Sequence, residues 1–228
     1  MNREDIYKAI KNRVELEGFK ISKIDSDSIK IDLISEEFQV YSSIRWQFHK
    51  FITPQGIDFR NVLFEEYFNQ ILNKELLKFN YDYSVGFVFK TFIKDFDSSA
   101  IEINSEIELE NYINKIVTNL LFHKKEIFPK LLDINFLAEY IGAVSFERKA
   151  ERSVGGKFPV HLFKKIAILK LGGQNERYLE YKEGTLDLIK SYAIRKPEKY
   201  LPSFREGFDK LILHLENEEN PFDNLTLT

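Results

Sequence analysis

The residue pattern with the most specific chemistry is the triplet Glu147-Arg148-Lys149, which follows a short apolar run. Metal-dependent nucleases often place E-x-K at the end of a strand, with an aspartate upstream that completes the metal site. Carboxylate oxygens suit Mg²⁺, and a lysine can orient the attacking water. The nearest upstream carboxylates are Asp133 and Glu139. Because the chain contains 36 Asp and Glu and 33 Lys and Arg, the triplet also arises by chance, and a solvated charged turn is the simpler interpretation.

A second pattern is the glycine pair Gly155 and Gly156, which is followed by Lys157 and then by a predicted helix start. Glycines that free the backbone, a nearby lysine and a helix N-terminus can together hold a phosphate or sulfate. The P-loop pattern is not matched, since it would need glycine in place of Glu151 and Ser or Thr in place of Phe158. The segment is therefore either an anion site or a flexible connector.

Positive charge is concentrated around these patterns. Residues 1–145 carry 18 Lys and Arg against 23 Asp and Glu, a net charge of −5, whereas residues 146–215 carry 15 against 9, a net charge of +6. The stretch 148–170 could contact nucleic-acid phosphates or dock electrostatically on the protein's own acidic half. Alternatively, Lys164 and Lys165 are the solvent-facing side of an amphipathic helix. The candidate residues for binding an anion or a partner are Arg148, Lys149, Arg152, Gly155, Gly156, Lys157, Lys164 and Lys165.

Other catalytic and metal-binding patterns are missing from the sequence. There is no cysteine, which removes disulfides, thiolate ligands and cysteine nucleophiles. The four histidines are scattered and lack the spacing of a zinc site, and neither G-x-S-x-G nor G-x-G-x-x-G occurs. We therefore expect no metal, no cofactor and no catalytic residue, which favours a protein that is not an enzyme. The histidines are His49, His123, His161 and His214.

Alternating apolar and polar residues predict the sheet that would support these residues. The predicted strands cover 19–24, 28–34, 38–48 and 81–93, with a turn at 53–56. Helical spacing predicts helices over 4–17, 61–72 and 106–122 and three more after residue 159. Ser105-x-x-Glu108 is a capping box for the helix at 106–122.

The predicted class is α+β, with a mostly antiparallel sheet covered by helices and a C-terminal helical extension, because alternating strands indicate a sheet with one covered face. The change in charge suggests an α+β domain over 1–145, a basic helical subdomain over 146–217 packed on it, and a flexible tail over 218–228.

Three features follow one another along the chain: a short helix ending in GFK, a strand meander, and the segment SEIELENYINKI…EIFPKLLD. In that order of elements, about residues 5–135 resemble small uncharacterised bacterial α+β domains, some of which are immunity partners of secreted toxins. The resemblance rests on pattern and carries over no functional residue. It implies a protein that binds another protein.

The sequence therefore favours a non-catalytic binding or interaction protein, bacterial and immunity-protein-like, whose partner is another protein. A metal-dependent nuclease or hydrolase using Glu147 and Lys149 is one alternative, and nucleic-acid or phosphate binding through residues 148–170 is another. The charged start MNREDIYKAIKNR has no apolar signal region, and no apolar run reaches the length of a membrane span. We expect a cytoplasmic location, no membrane contact and an oligomeric state that the sequence leaves open.

Overall fold

The computed structural model describes residues 2–47 and 51–223. Its strands form one antiparallel sheet in the order β1-β2-β3-β4-β5, and β6 pairs with β4. The strands are β1 (Lys20–Ile24), β2 (Ser28–Ile34), β3 (Phe38–Gln47), β4 (Phe51–Asn61), β5 (Val85–Phe87) and β6 (Ile101–Glu102).

The described residues also form eight α-helices. They are α1 (Arg3–Leu16), α2 (Val62–Ile71), α3 (Lys74–Leu77), α4 (Glu106–Phe122), α5 (Ile134–Gly142), α6 (Val160–Leu171), α7 (Asn175–Arg195) and α8 (Pro202–Asn217). The predicted α+β class is confirmed, including the three C-terminal helices. None of the helices in the described ranges combines the length and the apolar character that a membrane crossing requires.

The described chain forms two compact units, each assembled from separate stretches. Unit 1 comprises residues up to 59 and residues 86–129, and unit 2 comprises residues 60–85 and those from 130 onward. The predicted division at residue 145 stays a prediction, because the compactness of a unit does not test which part of a chain folds alone.

In unit 1, α1 and α4 supply apolar faces. Ile6, Ile10 and Val14 of α1 are buried at helical spacing. The capping box of α4 is confirmed, since Ser105 Oγ accepts a hydrogen bond from Glu108 N at 3.2 Å and Glu108 accepts one from Ser105 N at 3.1 Å. These reciprocal bonds satisfy backbone groups that the first turn of a helix leaves free.

In unit 2, α6 is the central helix, and α5, α7 and α8 all contact it. Ten of its twelve residues are buried, so it has no continuous polar face, as expected of a helix surrounded by others. Near the C-terminus, Phe222 is buried and Asn220 Nδ2 donates a hydrogen bond to Leu171 O at 2.9 Å. Residues 224–228 of the predicted tail lie outside the described residues.

Two expectations about strands are wrong. The turn predicted at 53–56 is part of β4; Gly56 serves close packing there, because a Cβ at this position would lie 2.9 Å from the carbonyl oxygen of Phe87. The strand predicted over 81–93 is limited to β5, followed by a 3₁₀ turn at Phe89–Thr91. The last residue of the strand predicted over 38–48, Phe48, lies outside the described residues. His49, one of the four histidines, lies outside them as well.

Candidate anion pocket in unit 2

Unit 2 contains a pocket of about 510 Å³. Among the described residues, its wall carries four basic side chains and a histidine but no Asp or Glu. We call it the basic pocket. Its lining residues are Tyr83, Lys149, Ala150, Arg152, Ser153, Val154, Gly156, Lys157, Phe158, His161 and Lys165.

The wall formed by residues 154–157 is held by backbone contacts with the segment before β5. Gly155 N donates to Tyr83 O at 3.1 Å, and Lys157 N donates to Phe79 O at 2.7 Å. A Cβ at Gly155 would collide with the carbonyl oxygens of Tyr81 and Tyr83. Gly156 has φ +121°, which side chains disfavour. The two glycines therefore serve tight packing and turning, and the segment is a fixed wall of the pocket.

Two of the basic side chains are positioned by aromatic rings. Lys149 Nζ lies 4.1 Å from the centre of the Phe146 ring and donates to Phe146 O at 3.1 Å. The Arg152 guanidinium lies 4.5 Å from the centre of the Tyr140 ring, and its Nε donates to Tyr140 O at 3.0 Å. Such contacts leave the positive charge in place, because neither a ring nor a carbonyl neutralises it.

Among the lysines of the pocket, Lys165 is the one whose charged form is disfavoured by its surroundings. Its side chain is almost entirely buried, with 2% of the residue exposed, and its Nζ donates to Lys149 O. Burial, together with the smaller effect of the nearby positive charge of Lys149, lowers the pKa of Lys165 to about 8. An anion beside these two groups would offset both the lost hydration and the like-charge repulsion.

His161, the second residue of α6, adds a further polar group. Burial lowers the pKa of His161, an interaction with the Lys157 backbone opposes this shift, and the charges of Lys165 and Lys149 act in the same direction as burial. Within the described residues its buried Nδ1 has no hydrogen bond of good geometry. Buried nitrogens are usually satisfied, so His161 is a candidate for contact with a ligand.

The basic pocket brings together five of the eight residues that the sequence singled out. Lys149, Arg152, Gly156, Lys157 and Lys165 line it. Arg148 is exposed and forms a bidentate ion pair with Glu151, with both distances 2.6 Å. Gly155 is part of the wall contact described above.

Lys164 lies apart from the basic pocket in a buried ion pair. Its Nζ is 2.8 Å from Glu65 Oε2 and also donates to Tyr81 O and Tyr83 O at 3.0 and 2.9 Å. Ser84 Oγ donates to the other oxygen of Glu65 at 2.8 Å. Both charged side chains have 0% exposure. The interpretation of Lys164 and Lys165 as a solvent-facing side is wrong, because α6 is surrounded by other helices of unit 2.

The E-x-K triplet does not assemble a metal site in the described structure. Glu147 is exposed, and Lys149 points to Phe146. Asp133 caps α5 by accepting a hydrogen bond from Asn135 N at 2.8 Å. Within residues 2–47 and 51–223, no three His, Asp or Glu side chains come together as metal ligands would. This geometry gives the metal-dependent alternative no support.

The sequence did not single out Tyr83, Phe158 or His161 as parts of a site. Tyr83 is 66 residues or more before the other lining residues, so only the fold brings it there. His161 could have been found from its position one turn before Lys165, since residues four apart share a helix face. Comparisons with protein-family models, curated proteins and solved structures found no match to this chain.

Proposed function

We propose that this chain is a non-catalytic binding protein and that the basic pocket of unit 2 takes a phosphate-type anion. The observation that carries the proposal is the composition of the pocket wall, which in the described part of the chain has no carboxylate. Its charged and titratable residues are Lys149, Arg152, Lys157, Lys165 and His161. A wall of one charge sign concentrates counter-ions of the other sign. The planar guanidinium of arginine donates two parallel hydrogen bonds, and the ammonium of lysine is a compact positive charge. Both groups suit phosphate oxygens.

A phosphate group free in solution and one carried by a partner protein share this chemistry. The expectation of a protein partner, with an immunity-protein-like role, rests on the resemblance of residues 5–135. In this proposal, a phosphate group on such a partner protein is the second source of the anion. A phosphoserine peptide and inorganic phosphate therefore form two arms of one experiment.

The decisive experiment is isothermal titration of the purified chain with inorganic phosphate, pyrophosphate and a short phosphoserine peptide. Lys157→Gln removes one charge from the pocket rim, where the lysine is exposed. Lys210→Gln is the matched control, because Lys210 is exposed on α8 and does not line the basic pocket.

We expect saturable binding of at least one phosphate probe, weakened about 5–30-fold by Lys157→Gln, as the loss of about 1–2 kcal/mol predicts, and unchanged by Lys210→Gln. A peptide that binds tighter than inorganic phosphate identifies a protein as the source of the anion. Absence of saturable binding to all three probes, or equal losses in the two variants, overturns the proposal.

A further inference from the structure

Unit 1 buries a histidine among phenylalanine rings. His123 has 0% exposure and lies where α4 ends and a π-helical turn, His123–Ile127, begins. The centres of five rings lie 5.6 to 6.2 Å from the centre of its imidazole. We call these rings the aromatic shell. They belong to Phe87, Phe89, Phe92, Phe122 and Phe128.

Hydrogen bonding assigns the nitrogen of His123 that can take up a proton. Nδ1 lies 2.8 Å from Asn119 O. Because a carbonyl oxygen only accepts hydrogen bonds, Nδ1 carries the proton of the neutral ring and Nε2 carries a lone pair. Within the described residues Nε2 is buried and has no hydrogen-bond partner. An added proton would therefore go to Nε2, where the described residues offer no acceptor for it.

Charged residues also lie on the elements that form the aromatic shell, but among the described contacts none reaches the imidazole. Lys115 is paired with Asp97 at 3.3 Å, and Lys124 Nζ donates to Glu17 O at 2.9 Å. The other five reach solvent, and β5 has no titratable residue. The charged residues of these elements are Lys90, Lys94, Asp95, Lys115, Lys124, Lys125 and Glu126.

The free energy of burial depends on the charge of the ring. Burying an imidazolium without a partner costs more than burying the neutral imidazole. Burial accordingly lowers the pKa of His123 from its ordinary value of 6.5, and the bond to Asn119 O opposes part of this shift. Just below pH 6.5 the unfolded chain binds this proton and the folded chain does not, so acid favours opening of the fold.

His123 is also connected to the sheet. Phe128 N donates to His123 O at 2.8 Å across the π-helical turn. The Phe128 ring lies 5.8 Å from that of Phe59 on β4 and 6.0 Å from that of Phe38 on β3. π-helical turns are frequent at functional sites. A movement of His123 toward water would therefore displace the turn that holds Phe128 against the sheet.

We propose that His123 is an acid-sensitive latch of unit 1. In neutral solution the uncharged ring fills the aromatic shell and keeps the end of α4 in place. When Nε2 takes up a proton, the imidazolium leaves the shell for water and the contacts of Phe128 with the sheet are released. The latch does not depend on the anion proposed for the basic pocket, so either proposal can fail alone.

Urea unfolding at about pH 7.5, 6.5 and 5.5 tests the latch. The chain has one tryptophan, Trp46 on β3, and this residue belongs to unit 1. Its fluorescence therefore follows the unit that contains His123.

Three variants are compared with the wild type. His123→Met is apolar and similar in volume to histidine, whereas His123→Gln is polar, and neither side chain titrates. His214→Gln is the matched control, because His214 lies in unit 2, where its ring is 5.5 Å from that of Tyr67. Carboxylates and His161 titrate in all four proteins, so the comparison isolates the effect of His123.

Below pH 6.5 we expect the unfolding equilibrium constant of the wild type to rise relative to that of either His123 variant, by up to about tenfold per pH unit. His214→Gln should keep this rise. An equal pH dependence of the wild type and both His123 variants overturns the inference. So does a wild type that gains stability in acid relative to them, because the ring faces would then bind the imidazolium.

Hydrogen exchange of the wild type tests the same latch without a substitution. After correction for the intrinsic exchange rate, the amides of residues 86–92 and 119–128 should lose protection between pH 7.5 and 5.5, by up to about tenfold per pH unit. The amides of α7 in unit 2 serve as the internal reference. Unchanged protection of the two segments relative to α7 overturns the inference even where the variants fail to fold.

Discussion

Lys164 and Lys165 are neighbours on α6 that meet opposite electrostatic surroundings. Lys164 is fully buried, yet Glu65 and two carbonyl oxygens bond its ammonium group. Lys165 has a carbonyl oxygen and a like charge nearby instead. One buried lysine is therefore paired with a carboxylate, whereas the other has no opposite charge among its described contacts.

Replacing Lys165 with methionine should flatten the rise of stability above about pH 8. The folded-state pKa of about 8 lies below the ordinary value of 10.5. Between these two values the unfolded chain holds the extra proton, so the free energy of unfolding increases with pH, by at most about 1.4 kcal/mol per pH unit from this group.

Urea unfolding of the wild type, Lys165→Met and the exposed control Lys210→Met at about pH 7, 8 and 9.5 measures this slope. The control should follow the wild type. Identical slopes for wild type and Lys165→Met would contradict the burial of a lysine amine in the basic pocket.

For single residues, the sequence predicts the interactions between partners that lie close together along the chain. The capping box of Ser105 and Glu108 is recognisable because both partners lie within one turn. The pair of Glu65 and Lys164 is not, because 99 residues separate them. Nor does the spacing of α6 reveal the burial of Lys164 and Lys165, since a helix enclosed by other helices has no polar stripe that would separate buried from exposed lysines.

Among the elements, the contact between residues 79–83 and 154–157 shapes the basic pocket. Backbone hydrogen bonds join the two segments, and Gly155 allows the carbonyl groups of Tyr81 and Tyr83 to approach. The same two carbonyls receive Lys164 Nζ. The wall of the pocket and the buried ion pair thus share one stretch of backbone.

Gly155→Ala should destabilise the chain by about 1–3 kcal/mol, because the added methyl group meets backbone atoms that cannot move aside cheaply. Gly142→Ala is a suitable control, since its Cβ would meet only side-chain atoms, the nearest at 3.3 Å. Chemical denaturation of both variants measures the difference. Equal stabilities of Gly155→Ala and the wild type would refute the close packing of these segments.

Element types were predictable where a period was long and regular, as in α4, α7 and the hairpin of β1 and β2. The prediction was wrong where a residue type that is typical of turns instead serves close packing inside a strand. Gly56 lies inside β4 because a neighbouring carbonyl needs the space. The alternating residues after Tyr81 are not all strand, because the carbonyls of Tyr81 and Tyr83 bond Lys164 and Gly155.

For the whole molecule, charge limits the kinds of anion that can bind. The chain has a net charge of −3 although the basic pocket is positive. A compact anion enters such a pocket, whereas a long polyanion also meets the negative charge elsewhere on the surface.

A 20-base-pair DNA duplex is therefore expected to bind more weakly than pyrophosphate at about 150 mM salt, with any affinity at low salt falling steeply as salt increases. Fluorescence anisotropy with labelled DNA, competed by pyrophosphate, tests this expectation. Tight DNA binding that survives physiological salt would favour the nucleic-acid alternative for residues 148–170.

The ion pair of Glu65 and Lys164 also sets an order of events during synthesis. Glu65 leaves the ribosome 99 residues before its partner, which corresponds to about 5–20 s at common elongation rates. During that interval α2 cannot bury its carboxylate without a large penalty. The carboxylate of Glu65 is therefore expected to stay hydrated until α6 has been synthesised, so unit 2 cannot be completed before α6 is available.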